Sequence, residues 1–351
     1  YANLGQPNNL ATLLCMGVCG VLYFYERQLL GRLSSGMIVA FLISGIALTQ
    51  SRTPWVGAVL LLLFWAWKSS GYSMRLRLHA MSLWVGAYAA CVLALPYLAE
   101  LLLLSSSDPL ERVRSMERLG LWAQFWQAVW QGPLWGYGWG QVGSAQVSVA
   151  VSHPFPIMTE HSHNILLDLL LWNGPVVGGA IVVGLIFWLG RLSWGGRTAE
   201  GLFALMASGA LLLHGMLEYP LEYAFFLLPL GLLLGLVAAE SETAEFRLPR
   251  WLPGAMLLPC LGLFAWLWHD YRIIEEDYRL MRFESRNIGT LKAEQAAPNV
   301  LLLNQLRELV RLERTEPRAG VGAEELQWMQ EVAHRYPFRE NLLRYVLALA
   351  L

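Results

Sequence analysis

Charge is what this chain has least of. Only 15% of its 351 residues are Asp, Glu, Lys or Arg, while 56% are hydrophobic; soluble domains run nearer a quarter charged. The 25 basic and 26 acidic residues nearly cancel, to a formal net charge of −1. No basic stripe stands out, so nothing recommends nucleic acid as a partner. Cysteine is scarce as well. Cys15, Cys19, Cys91 and Cys260 all lie inside apolar runs, with no CxxC pair, haem-attachment motif or disulfide framework. They read as small apolar packing residues. No signal peptide is visible and residue 1 is Tyr. The polar opening "YANLGQPNNL" leads straight into an apolar run and the end "LRYVLALAL" is equally abrupt, so the chain reads as the middle of a larger protein.

What is present is length without charge. Apolar spans fall at about 10–25, 36–49, 55–67, 79–104, 164–190, 201–217, 222–239 and 251–268. Several approach or exceed the ~18 residues that cross a bilayer. The span at 36–49 is short, and the one at 164–190 contains Asn173-Gly174-Pro175, where a kink or break is expected. From Asp270 onward charges become dense, apolar residues recur at helical spacing, and Pro298, Pro317 and Pro337 punctuate. The fold class is all-α: a polytopic helical membrane protein with a large outer loop over about 105–163. The expected division is a transmembrane catalytic domain over 1–268 and a soluble helical region over 269–351, built of helical hairpins.

Orientation follows from positive charge in short loops. The loops 26–34, 68–77, 191–200 and 240–250 carry Arg27, Arg32, Lys68, Arg75, Arg77, Arg191, Arg197, Arg247 and Arg250, the last loop with Glu240, Glu242 and Glu245 beside them. Simple alternation puts these four on one side, expected to be cytoplasmic. The other side then collects "GQPNN", "TQSRTPW", the segment 105–163, "LEYPLEY" and the tail.

That second side carries the chemistry-bearing residues. Arg52, in "SRTPWVG", is either an interfacial arginine reaching for headgroups or a ligand cation. In the helical pattern 116–131, Leu119, Trp122, Trp126 and Trp130 fall on one face, as expected of a helix lying along the membrane. Arg112, Arg114 and Arg118 sit on or before it. "WGYGWGQVG" packs four glycines and three aromatics into nine residues, a weak signal for sugar rings or lipid tails, and no GK[ST] follows to make it a P-loop. "EHSHN" offers Glu160, His161 and His163. Two histidines at i, i+2 do not share a helix face, and no Cys or Asp cluster completes a zinc set. A histidine at an outer surface is well suited to accept a proton near neutral pH. Glu218, Tyr219, Glu222 and Tyr223 crowd the turn "LEYPLEY". Arginines bind diphosphate as permanently charged forks, a histidine can deprotonate an attacking hydroxyl, and apolar helices can hold a polyprenyl tail. Together the set fits glycan transfer from a lipid-diphosphate donor.

At these motifs the chain resembles the bacterial O-antigen ligase/polymerase superfamily, most of all the pilin-type O-oligosaccharyltransferases (PglL/PilO-like). The resemblance rests on "GQPNNLAT" at 5–12, "SRTPWVG" at 51–57, "SMERLGLW" at 115–122, "GPLWGYGWG" at 132–140, "EHSHNILLDLLLWNG" at 160–174 and "PLEYAFFLLPLGLLLG" at 220–235. It covers most of residues 1–240 and implies a GT-C-like, metal-independent, inverting transferase of the inner membrane with a periplasmic active site and no cofactor. The donor it implies is an undecaprenyl-diphosphate-linked glycan. The acceptor is a hydroxyl of a pilin-like protein, or lipid A-core in a ligase, or the glycan itself in a polymerase. By the same resemblance His163 is the base in the His163-Asn164 step, and Arg52 and Arg118 face the diphosphate. Gln6, His161, Glu160, Asn164, Tyr223, Glu222 and Arg114 are expected to bind or orient substrate, with His161 or Glu160 supporting His163. The family usually has about a dozen spans against the eight read here. A lipid-linked-glycan transporter is the alternative of another class, disfavoured because the spans are nearly free of charge and the polar groups cluster at one face.

Overall fold

The computed structural model describes residues 4–69, 74–101, 117–195, 198–241, 249–286, 288 and 298–351, and these contain helices and no strand. Arg112 and Arg114 lie outside the described residues. The helices are α1 (Pro7–Glu26), α2 (Arg32–Leu48), α3 (Thr53–Ser69), α4 (Leu78–Leu101), α5 (Glu117–Gln131), α6 (Val142–Ser148) and α7 (Ile165–Asn173). They continue with α8 (Gly179–Gly195), α9 (Ala199–Gly215), α10 (Ala224–Glu240), α11 (Leu252–Glu284), α12 (Asn304–Arg314), α13 (Ala323–Arg335) and α14 (Arg339–Ala350). Among the described residues, four stretches are long and apolar enough to cross a membrane: α1, the first 21 residues of α4, the 31 residues from Ile165 to Gly195, and α11 with 33. Helices α2, α9 and α10 are apolar but shorter, at 17 residues or about 25 Å each. The protein is a polytopic helical membrane protein.

The expected break at Asn173-Gly174-Pro175 is a π-helical turn, Gly174–Gly178, that joins α7 to α8 without ending the helix. Pro175 has no N–H for the carbonyl of Leu171. The loop 133–140 supplies the missing donors: Tyr137 N–H reaches Leu171 O at 2.8 Å and Gly138 N–H reaches Trp172 O at 3.0 Å. Asn173 Nδ2 donates to Leu169 O at 3.0 Å. Backbones approach so closely here that a Cβ on Gly136 would overlap Gly174 N, and one on Gly174 would overlap Leu134 O. Both glycines also have positive φ, 77° and 75°. The glycine-rich stretch therefore has a structural use as a hook on the kinked helix.

The chain folds as two compact units, one of residues 1–138 with 161–244 and one of 139–160 with 245–351. In the first, α9 is the central helix and is buried over most of its length. It packs on α1 and α10. One core gathers Leu22, Val39, Trp65, Tyr88 and Phe203, and another gathers Leu192, Leu211, Phe226 and Val237. Large apolar residues such as Phe41, Leu63, Phe187 and Leu232 point outward, as lipid-facing residues do.

Three of the four positively charged loops are tied together at one end of this unit. Arg27 pairs with Glu200 at 3.3 Å, Lys68 Nζ donates to Trp194 O at 3.0 Å, and Arg75 donates to Tyr25 O at 3.0 Å. Thr198 hydrogen-bonds Glu240, where the fourth loop begins. Alternating connections therefore do return to the same end.

In the second unit the expected boundary after 268 falls inside α11, which runs unbroken to Glu284. Its second half packs on α12, which packs on α13, which packs on α14. The core of these is Leu312, Met329, Val332, Ala333 and Ala348. Segment 139–160 joins this unit through Ser144 Oγ, which donates to His334 O at 2.6 Å.

Candidate functional site

The site is built by short stretches that apolar helices carry to one end of the first unit. Asn164 caps α7: its Oδ1 accepts from Leu166 N–H at 3.1 Å and Leu167 N–H at 3.2 Å. Its side-chain oxygen is thus used in the fold. The cap turns the preceding residues away from the helix, and His163 sits in the left-handed region with φ 58°. For a residue with a Cβ that conformation costs about 1–2 kcal/mol. The neighbours hold it. Ser162 N–H donates to Asp168 Oδ1 at 2.9 Å, Ser162 Oγ donates to Asn164 O at 3.0 Å, and Trp122 Nε1–H donates to Ser162 O at 2.9 Å.

Helix α5, which carries Trp122, has two apolar faces. Leu121, Phe125, Ala128 and Val129 are buried, while Leu119, Trp126 and Trp130 are exposed. Trp122 departs from the face it was grouped with, because its indole N–H is needed at Ser162.

The second stretch follows α9. After Gly215 the chain turns through 216–219 and a 3₁₀ turn, Pro220–Glu222. This turn carries Glu218, whose side chain is only 11% exposed. One carboxylate oxygen lies 2.7 Å from His163 Nδ1. The other accepts from Arg118 of α5 and, at 3.2 Å, from Asn8 Nδ2 in the first turn of α1. Burial alone would raise the Glu218 pKa. The hydrogen bond from His163 and the guanidinium of Arg118 outweigh it and hold the carboxyl below its ordinary value.

Tyr219 joins both histidines. Its ring stacks on His161 at 4.5 Å and meets His163 edge-on at 5.5 Å, and its hydroxyl accepts from Gln6 Nε2 at 2.9 Å. His161 Nδ1 lies 3.4 Å from Glu222 Oε1 and 4.0 Å from Asp168 Oδ2, with hydrogen-bond geometry to neither. Tyr223 stacks on Tyr219 at 6.4 Å. Ser51 Oγ donates to Asn8 Oδ1 at 2.6 Å, so the turn before α3 touches the same network, and exposed Arg52 follows it directly.

Of the residues expected from sequence, His163, Arg118, His161, Gln6, Tyr223 and Glu222 come together. Arg52 stands next in chain to Ser51 of that network. Glu160 is exposed and falls in the second unit. Arg114 is outside the described residues. Sequence reasoning missed Glu218, Asn8, Ser51 and Tyr219 as site members. Glu218 and Tyr219 were visible in the crowded turn, but nothing in a linear pattern ranks Glu218 above Glu222. Among the described residues no group of three or more His, Cys, Asp or Glu is placed to hold a metal ion.

A histidine with one nitrogen on a buried carboxylate keeps the other free to take a proton, and the carboxylate fixes its tautomer. A forked cation, Arg118, sits on the other oxygen of the same carboxylate. The molecule is thus a membrane protein with a polar, acid–base-competent cluster at one end of an apolar helical bundle. Its relatives make the class specific. Residues 36–183 match the family "O-Antigen ligase", and residues 202–351 match "Virulence factor membrane-bound polymerase, C-terminal". Two Acinetobacter baylyi proteins are similar. A general O-oligosaccharyltransferase is 32% identical over 98% of this chain and 62% of its own length. A ComP-specific O-oligosaccharyltransferase is 30% identical over 68% of this chain and 44% of its own. The chain thus spans about half the length of these relatives. No solved structure matches significantly. The chain is thus similar to O-antigen ligases and O-oligosaccharyltransferases.

Proposed function

We propose that this protein transfers a glycan from an undecaprenyl-diphosphate carrier to a Ser or Thr hydroxyl of a pilin-like acceptor, at the periplasmic face of the bacterial inner membrane. The observation that carries the reading is the His163–Glu218–Arg118 cluster, with Asn8 on the same carboxylate. Glu218 keeps the Nδ1 proton of His163, which leaves Nε2 as the base. The acceptor oxygen attacks the anomeric carbon while its proton passes to Nε2. The bond from that carbon to the diphosphate oxygen breaks, and the leaving group departs with the electron pair. A single displacement of this kind inverts the anomeric centre and requires no metal. Arg118 and Arg52 neutralise the charge that develops on the diphosphate, where fixed cations act most strongly. Gln6, Tyr223, His161 and Glu222 line the approach, and Trp126 and Trp130 on the exposed face of α5 enter the headgroup region.

The names of the two relatives support a protein acceptor; the two family matches favour the second reading, transfer to lipid A-core or to growing glycan. One experiment separates them. The purified protein in lipid is given a labelled lipid-diphosphate glycan with a pilin-like acceptor, its Ser/Thr-to-Ala variant, or lipid A-core. Label on the intact pilin-like protein alone supports the reading. Label on lipid A-core or in lengthened glycan replaces it with the second, and label in no acceptor overturns both.

A further inference from the structure

One buried titratable group next to the site has no part in the reaction above. His214, on the last turn of α9, is fully buried. Its Nδ1 shares a hydrogen bond of 2.9 Å with Thr12 Oγ1 of α1. Its Nε2 has no partner among the described residues, and the ring meets the edge of Phe226. An apolar side chain would fill this space without stranding a buried nitrogen. A polar group stands here instead, so the link itself is the feature to explain.

The link belongs to a seam. Along α1, Gln6, Asn8, Thr12 and Tyr23 bond in order to Tyr219, Glu218, His214 and Glu200, so the two chains run antiparallel with polar rungs between them. Thr12 is four residues after Asn8, and His214 four before Glu218, so the Thr12–His214 and Asn8–Glu218 rungs are neighbours one helical turn apart. Below Thr12 the surroundings turn apolar, in a cavity of about 110 Å³ lined by Cys15, Ala210 and Leu213. Thr12–His214 is thus the deepest rung on the side of the site. Glu218 itself stands on a turn, not in the helix. Leu217 N–H at 3.0 Å and Glu218 N–H at 2.8 Å donate to the backbone carbonyl of His214, so the turn hangs from the helix end that the Thr12–His214 side-chain bond ties to α1.

We propose that His214, through Thr12, is a positioning residue for the catalytic pair: it fixes the turn that aims Glu218 at His163 Nδ1. This rests on the reading of His163 as the base. Losing the anchor lets the carboxylate drift, and misplacement of about 1 Å costs on the order of 100-fold in rate.

The test is a double-mutant cycle on transfer kinetics in the purified protein, with thermal stability measured alongside. Thr12→Val keeps volume and His214→Phe keeps a planar ring, though a larger one; both remove the polar link. Each is expected to lower kcat about 10- to 100-fold with KM within about two-fold. In a Glu218→Gln background His214→Phe is expected to cost almost nothing more, because the group it aims is already gone. A merely structural role would give losses that add in that background and follow thermal stability, and this result overturns the proposal. So would full kcat in both His214→Phe and Thr12→Val. If His214→Phe does not fold, Thr12→Val against Glu218→Gln gives the same cycle. Should His163→Ala and Glu218→Gln themselves keep full activity, it is the proposed function that fails, and the two failures are told apart.

Discussion

His163 Nδ1 and Glu218 Oε2 meet at 2.7 Å across 55 positions of sequence. This pair organises the polar end of the bundle, since Arg118, Asn8 and Tyr219 all reach it or rest on it. The pair has its own expected phenotype. Glu218→Gln keeps the shape but removes the charge that fixes the tautomer of His163, and kcat for transfer should fall about 100- to 10,000-fold. His163→Ala should abolish transfer with expression intact; full activity in either variant, read in the labelled-acceptor assay, would sink the assignment.

Arg118 has to reach Glu218 while still offering N–H groups to an incoming phosphate. A guanidinium fork can do both, and an ammonium is a point charge. Arg118→Lys is expected to lose most of kcat/KM, and Arg52→Lys likewise. Wild-type kcat/KM in both variants would remove the arginines from the diphosphate.

The depressed pKa of Glu218 fixes a sign for stability. A carboxyl whose folded pKa lies below its unfolded value near 4.3 contributes stability that is fully present above that value. The contribution is lost as pH falls through the folded pKa. Melting curves of wild type and Glu218→Gln should therefore differ at neutral pH and converge in acid below about pH 4. A gap that widens in acid contradicts the assignment.

The glycine hook predicts a contrast among alanine substitutions. Gly174→Ala puts a Cβ onto Leu134 O at a positive φ and should cost at least about 2 kcal/mol. Gly20→Ala, mid-helix with nothing within 4 Å, should stay within about 1 kcal/mol of wild type. Equal melting temperatures for the two variants would show that the hook contributes nothing.

Metal independence has a direct check. Transfer by the purified protein should survive thorough chelation with EDTA. Loss of activity that one divalent cation restores would return His161 and its carboxylate neighbours to the position of metal ligands.

Much of this was legible in the sequence, and for a local reason. Runs of apolar residues without charge have few places to go but a bilayer, so spans such as 10–25 and 201–217 correspond to α1 and α9 within a few residues. The histidines and Arg118 were conspicuous because polar groups are rare beside such runs. Glu218 was not ranked, because its importance comes from burial against His163 and Arg118, which no spacing reveals. Trp122 was grouped with the exposed tryptophans by period alone, although its indole N–H points inward to Ser162. The glycines at 136 and 138 read as a ligand loop in the sequence, whereas in the fold their stretch donates to Leu171 O, which Pro175 leaves without its helical donor.

The sequence by itself determined the solvent of this protein: too little charge and too much apolar length for water, with the few polar groups confined to the ends of spans. Tertiary structure decided which of those groups act together. A hydrogen bond is directional and extends only about 3 Å, so the choice of Glu218 over Glu222 depends on how α1, α5, α7 and the turn after α9 converge.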